Sequence, residues 1–175
     1  MIRHLLKTAW ILLFLLFGMN DSLAEPSSPE KKIIVILPFQ FFGSSPVTRE
    51  GDINYLVGEA LEYELWFRGY PVVDSKRVRT TLDTLDMNVK VARRDNIEKL
   101  IQVMDADIFI HGEIIMYSSA DINKYALNLN ISATDKQNNL LRRESFRTEV
   151  TEETQLRDLL RDWSFQFLQR LNIRG

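Results

Sequence analysis

Apolar residues follow two kinds of spacing along this chain, and the spacing predicts where strands and helices lie. Ile33–Phe39 is a continuous apolar and β-branched run, which is typical of a strand covered on both faces of a sheet. Pro38 should end this strand, because proline has no N–H to donate to a ladder. A loop rich in glycine, serine and proline is expected after it, as far as Glu50.

Spacings of three and four residues predict four amphipathic helices. The first should begin near Asp52 and end before Gly69, since glycine suits the left-handed position that follows a helix. Two shorter helices should start at Ser75 and Asp95, and a last one at Thr151. The residues expected to face inward on the first and last helices are Ile53, Leu56, Val57, Ala60, Leu61 and Leu65, and Leu156, Leu159, Leu160, Trp163, Phe167 and Leu171.

The remaining apolar segments predict strands. Tyr70–Val73 is expected to be a short strand and Asp107–Tyr117 a longer one. Tyr125–Thr134 alternates apolar with polar residues, which indicates an antiparallel strand with one buried face, and Leu140–Val150 should return beside it. The sequence therefore predicts a single α/β (α+β) domain over residues 33–173. It has a mixed sheet of about five strands with helices packed on it, in the order β-α-β-α-α-β-β-β-α.

Residues 1–24 have the layout of a secretory signal peptide. A basic start precedes the apolar run Ala9–Met19, and Ala24 supplies the small residue expected before the cleavage site. The run is shorter than the about 20 residues that a membrane-spanning helix needs. The alternative is an uncleaved anchor from Leu5 to Met19. Residues 25–32, rich in proline, serine and charge, are expected to form a linker.

The composition restricts the cellular compartments and the classes of partner expected for the chain. The 175 residues include no cysteine, so the chain has neither disulfides nor a cysteine that could carry a lipid anchor. The net charge of −2 provides no bulk positive field to gather nucleic acid. Together with the export signal, this indicates a periplasmic protein without a transmembrane segment after cleavage. Peripheral association with the outer membrane is a further expectation.

Motifs for catalysis or for cofactors are absent from the sequence. Beyond the signal segment there is one histidine, His111, and there is neither a nucleophile elbow nor a phosphate-binding glycine motif. Asp105 and Asp107 are interpreted as a helix exit and a turn rather than as metal ligands. We therefore expect no enzyme activity, no cofactor and no metal site. The alternative is an exported small-ligand-binding protein or enzyme that uses the cleft at the end of the first strand.

Aromatic residues outside the predicted core are the candidate binding residues. Phe41 and Phe42 follow the first strand, and they either fold inward or stand exposed as anchors for a partner. Tyr55, Tyr63 and Trp66 lie off the inner stripe of the first helix and give it a second, aromatic face. We predict that these residues contact an envelope protein complex or a second copy of the chain.

Several short segments resemble one group of exported bacterial domains. They are Val35–Phe39, the step Gly69–Asp74, Ala106-Asp107 leading to Gly112, and a two-strand meander with Asp135 in its turn. Over residues 33–172 the chain resembles domains of the curli-assembly CsgG type, the amino-terminal domain of TolB, LpoB-type activators of penicillin-binding proteins, and FlgO- and FlgT-like flagellar accessory proteins.

The resemblance implies a non-catalytic periplasmic protein-interaction module. Such a module is accessory to the assembly or regulation of a cell-envelope machine, in outer-membrane secretion, in flagella or in peptidoglycan synthesis. Some members of the group form rings, which implies self-association as one mode of binding. The sequence has no long insertion that could supply membrane-spanning hairpins, so a curli-type pore is not expected.

Overall fold

The computed structural model describes residues 31–43, 50–87, 94–118, 125–150, 153–171 and 173. One structural unit runs from Lys31 to Gly175. The expected signal peptide and residues 25–30 of the expected linker lie outside the described residues and stay predictions. Within the described ranges, no helix has the length and apolar character needed to cross a membrane.

A mixed five-stranded sheet with helices on both faces confirms the predicted fold class. β1 and β2 pair with β3 in parallel, whereas β3–β4 and β4–β5 are antiparallel pairs. The strands in the described residues are β1 (Ile34–Ile36), β2 (Gln40–Gly43), β3 (Ile108–Ser118), β4 (Tyr125–Asp135) and β5 (Leu140–Val150). The helices there are α1 (Glu50–Phe67), α2 (Ser75–Thr84), α3 (Arg94–Val103) and α4 (Glu153–Leu171).

Pro38 interrupts the first strand without ending its association with β3. β1 pairs with Ile108–Ile110 and β2 pairs with Glu113–Met116, so the two short strands follow each other along one edge of β3. The sequence had indicated a loop at Gln40–Gly43. Pairing resumes there because the missing N–H of proline removes only a local hydrogen bond. Phe39, only 1% exposed, lies in the core at the interruption.

The segment predicted as a short strand at Tyr70–Val73 joins the sheet through a single parallel bridge between Ile34 and Val72. The N–H of Ile34 donates to the carbonyl of Pro71 at 2.9 Å, and the N–H of Val73 donates to the carbonyl of Ile34 at 2.9 Å. The segment thus lies at the expected place along the chain, beside β1, but it is too short for a ladder.

The start of α2 explains why this edge segment is short. The carboxylate of Asp74 accepts hydrogen bonds from the backbone N–H groups of Lys76, at 2.7 Å, and Arg77, at 3.4 Å. Asp74 is therefore the N-cap, in place of Ser75, which is the first residue of the helix. Since the cap directly follows Val73, the chain turns into α2 before a second bridge can form.

Two hydrophobic cores lie on opposite faces of the sheet. α1 and α4 cover one face, and the inward-facing residues predicted for them are buried there, with Leu159 partly buried. α2 and α3 cover the other face near β1, where Val78, Leu82 and Leu100 belong to the same core as Phe109. The alternation predicted for β4 is confirmed, because its apolar positions belong to the core beneath α1 and α4.

Charge and aromatic stacking tie the edge strand β5 to α4. The carboxylate of Glu144 forms ion pairs with Arg142 and with Arg170, whose Nη1 lies 3.2 Å from Oε2. The ring of Phe146 stacks on Trp163 with 5.3 Å between centroids. The charged positions of β5 thus fix the strand to the helix that covers it.

Alanine substitutions at Gly112 and Gly58 are expected to have opposite effects on stability. A Cβ at Gly112 would overlap the carbonyl oxygen of Asn130 and lie 2.6 Å from the Phe39 ring, whereas a Cβ at Gly58 would meet nothing within 4 Å. We expect Gly112→Ala to lower the free energy of unfolding by about 2–3 kcal/mol through overpacking. Gly58→Ala should raise it by about 0.5–1 kcal/mol, because alanine is the better helix former.

Urea denaturation followed by circular dichroism measures both changes. Stability changes of the same sign in the two variants would contradict the packing described here.

Candidate interaction surface

The outward side of α1 carries three aromatic and two acidic residues. Tyr55, Glu59, Glu62, Tyr63 and Trp66 are separated mainly by three or four residues, so they share one side of the helix. Tyr55 is 67% exposed, Tyr63 47% and Trp66 74%. We call these five residues the aromatic–acidic stripe. Its aromatic members are those that the sequence predicted, and the opposite side of α1 lies in the core.

Phe67 is a further exposed aromatic residue of α1, and it was not among the candidates drawn from the sequence. Helical spacing places Phe67 on the same side as Leu56 and Ala60, which are buried. Phe67 is nevertheless 74% exposed, because it is the last residue of α1. Beside it, Arg68 donates to the carbonyl of Phe165 at 3.2 Å, and its guanidinium lies 5.2 Å from the centroid of that ring.

Contacts with α4 support one flank of the stripe. The guanidinium of Arg161 lies over the ring of Tyr63, 4.9 Å from its centroid. Arg157 Nη1 lies 3.6 Å from Glu59 Oε2. Both contacts restrain side chains that a partner would otherwise have to order, which reduces the entropy lost on binding.

A groove opens on the other flank of the stripe, between α1 and α2. Its volume is about 380 Å³. Leu37–Phe39, at the carboxyl end of β1, line one part, and Tyr55 and Glu62 line the α1 side. Leu82 and Met87 contribute apolar surface from α2 and the turn after it. The groove occupies the position where the sequence placed the cleft of the alternative function.

The two phenylalanines of β2 lie on opposite faces of the sheet. Phe41 pairs with Ile114 and is partly buried against the core beneath α1, which favours the inward-folding alternative for this residue. Phe42 pairs with Ile115 and is 41% exposed. Because successive side chains of a strand point to opposite faces, Phe42 lies on the sheet face away from α1. Neither phenylalanine belongs to the aromatic–acidic stripe.

His111 lies in a row with Ser132 and Arg143 across three strands. Arg143 Nε donates to Ser132 Oγ at 3.2 Å. The imidazole Nε2 is buried and has no hydrogen-bond partner within the described part of the chain. Burial, and then the positive charge of Arg143, lower the pKa of His111 to about 4. Among the described contacts, no hydrogen bond joins His111 to Ser132.

Asp107, one of the two acidic residues considered as metal ligands, has a structural role. The carboxylate of Asp107 accepts from the N–H of Ile33 at 2.9 Å and lies 3.3 Å from Lys136 Nζ, and these contacts hold its pKa below the usual range. Its role is thus to join the ends of two strands. In the ranges that the structure describes, no group of three or more histidine or acidic side chains is placed to hold a metal ion.

The burial of His111 predicts a pH-dependent stability. Above pH 6.5 the imidazole is neutral in both the folded and the unfolded chain, so its burial carries no cost of burying a charge. Between pH 6.5 and about pH 4 the unfolded chain binds a proton at His111, whereas the folded chain does not. Stability should therefore fall across this interval. We expect the wild-type protein to lose up to about 3 kcal/mol relative to His111→Gln.

The measurement is urea denaturation of both proteins at pH 7, 5.5 and 4. The difference between the proteins isolates His111 from the carboxylates that titrate in both. A difference that stays constant with pH would refute the lowered pKa.

Comparison with known proteins identifies a shared fold. No protein-family model matches the chain, and no curated protein matches it. Among solved structures, lipoprotein GNA1162 from Neisseria meningitidis is 16% identical, with a TM-score of 0.55 over 78% of this chain and 96% of that one. A PelC dodecamer from Paraburkholderia phytofirmans is 8% identical, with a TM-score of 0.52 over 86% of this chain and 94% of that one.

The C-terminal domain of LpoB from Salmonella enterica is also similar. It is 11% identical, with a TM-score of 0.46 over 73% of this chain and 87% of that domain. The resemblance to CsgG and TolB domains stays a prediction. At these identities, the chain is shown to share the fold of GNA1162 and PelC.

Proposed function

We propose that this chain is a non-catalytic protein-interaction module of the bacterial cell envelope, which binds through the aromatic–acidic stripe and Phe67. The observation that carries the proposal is the exposure of Trp66 and Phe67, each 74%, at the end of a helix whose buried stripe lies in the core. The similar fold of a protein described as a lipoprotein supports the envelope setting. The expected signal peptide supports export to the periplasm.

Aromatic exposure on this scale favours binding over a purely structural role. Tryptophan and phenylalanine each bury about 150–250 Å² when covered, and such residues dominate the energetics of interfaces. Tyr55 and Tyr63 continue the exposed aromatic surface along α1. Exposed aromatic surface of this kind marks interaction sites on soluble proteins.

A second copy of the chain is one partner to consider. PelC, which shares the fold, is described as a dodecamer. Self-association through α1 would cover Trp66 and Phe67 without another protein. The alternative partner is a component of an envelope machine for secretion, for flagella or for peptidoglycan synthesis. The molecular mass of the purified chain in solution separates the two.

The groove beside α1 supports a second candidate function, an exported ligand-binding protein or enzyme. Its volume of about 380 Å³ is within the range of small-molecule sites. A bound metabolite that leaves the aromatic surface unaffected would favour this candidate.

Truncation of the two most exposed aromatic residues tests the interaction function. We expect the double variant Trp66→Ala, Phe67→Ala to reduce recovery of the cross-linked complex at least about tenfold, because anchors of this type each contribute about 2 kcal/mol or more to binding. The measurement is cross-linking of the tagged chain in its own host, followed by isolation of the complex. Sedimentation velocity of the same proteins reports self-association.

Val103→Ala is the matched control, because Val103 is an apolar residue 56% exposed on α3, outside the stripe. It should leave the complex intact, and all variants should keep the wild-type unfolding midpoint. Full recovery of the complex with the double variant would contradict the proposal, as would turnover of a metabolite by the purified chain.

A further inference from the structure

The groove between α1 and α2 has an apolar interior and an acidic rim. Phe39, Leu82 and Met87 line the interior. Glu62 on α1 and Asp83 on α2 both line the groove, together with Arg79. A site with this distribution fits a ligand that combines an aliphatic body with a charged group, and the sign of that charge follows from the carboxylates around it.

Gly58 keeps the groove open on the α1 side. Glycine weakens the middle of a helix, so a structural reason for it is expected. Packing does not require it, because a Cβ at Gly58 would meet nothing within 4 Å. The backbone does not require it either, because its φ lies outside the positive region that favours glycine. What the glycine provides is space, and that space belongs to the groove.

The surroundings of Glu62 favour a cation beside its carboxylate. Burial, together with the neighbouring carboxylates Asp74 and Glu59, raises the pKa of Glu62. Glu59 lies 3.6 Å from Arg157, whereas no ion pair of Glu62 occurs among the described residues. Arg79 is the one basic residue that the described part of the chain contributes to the lining. A ligand cation placed beside Glu62 would therefore offset the repulsion that Asp74 and Glu59 exert on its carboxylate.

We propose that the groove receives a segment of a partner protein that presents a lysine or arginine next to aliphatic side chains. The cation binds at Glu62, and the aliphatic side chains pack on Leu82 and Met87, whose flexible thioether adapts to different shapes. Tyr55, 67% exposed, lines the same groove, so its ring is available for a cation–π contact with this cation. This inference rests on the proposed function, for which it supplies the chemistry of the partner.

A blocked peptide of alternating lysine and leucine is the probe, with an otherwise identical glutamate–leucine peptide as its comparison. We expect the lysine peptide to bind saturably, with backbone amide shifts in nuclear magnetic resonance spectra centred on Gly58 and Leu82. The glutamate peptide should bind at least tenfold more weakly. Hexylammonium, which carries the cation and an aliphatic chain without a peptide, should also bind at least tenfold more weakly than the lysine peptide.

Two variants test the site from different directions. Gly58→Leu should fill the groove and raise the Kd for the lysine peptide at least tenfold, while the helix keeps a good helix-forming residue. Glu62→Gln should raise the Kd about fivefold or more and leave the shape unchanged. Asp105→Asn, which removes an exposed carboxylate outside the groove, is the matched control and should leave the Kd unchanged.

Three results would overturn the inference: no binding of the lysine peptide, equal binding of both peptides, or undiminished binding to Gly58→Leu. Hexylammonium binding as tightly as the peptide would also overturn it, in favour of a small free cation. Any of these results, combined with a complex that still depends on Trp66 and Phe67, would refute the groove inference and leave the proposed function standing. If the complex did not depend on Trp66 and Phe67 but the lysine peptide still bound, the proposed function would be refuted and the groove would remain a peptide-binding site.

Discussion

The interruption of the first strand at Pro38 is the constraint on which the rest of the structure depends. The N–H of Leu37 still donates to the carbonyl of Ile110 at 2.8 Å, and then the chain passes the proline and pairs with β3 again. At the interruption, the Phe39 side chain enters the core against Gly112. A side-chain methyl group at position 112 would collide with the Phe39 ring. The same turn leaves the carboxyl end of β1 as one wall of the groove beside α1.

Helical periodicity and strand alternation were sufficient to predict most of the fold, because both patterns follow directly from backbone geometry. The inner faces of α1, α4 and β4 are buried as predicted. The patterns failed where pairing depends on distant residues. β2 contains Gln40–Gly43, whose sequence resembles a loop, and it pairs because β3 offers an unoccupied edge beyond β1. The single bridge at Val72 depends on where the Asp74 cap forms.

The aromatic surface was predictable only where one helix defines it. Tyr55, Tyr63 and Trp66 are exposed because they lie opposite the buried stripe of α1, and that follows from the sequence alone. The opposite orientations of Phe41 and Phe42 required knowledge that they lie in a strand. The sequence placed a cleft at the carboxyl end of the first strand, where the groove lies. Its α2 wall could not be predicted, since the approach of α2 is set by packing on both faces of the sheet.

The charges on β5 limit how copies of this chain can associate through the edge of the sheet. β5 is an edge strand, and Arg143, Glu149 and their neighbours place charges along it. An incoming strand would have to desolvate those charges before gaining backbone hydrogen bonds, which disfavours lateral growth of the sheet into a fibre. Any assembly of this chain should therefore form through side chains on the helices rather than by strand addition at β5.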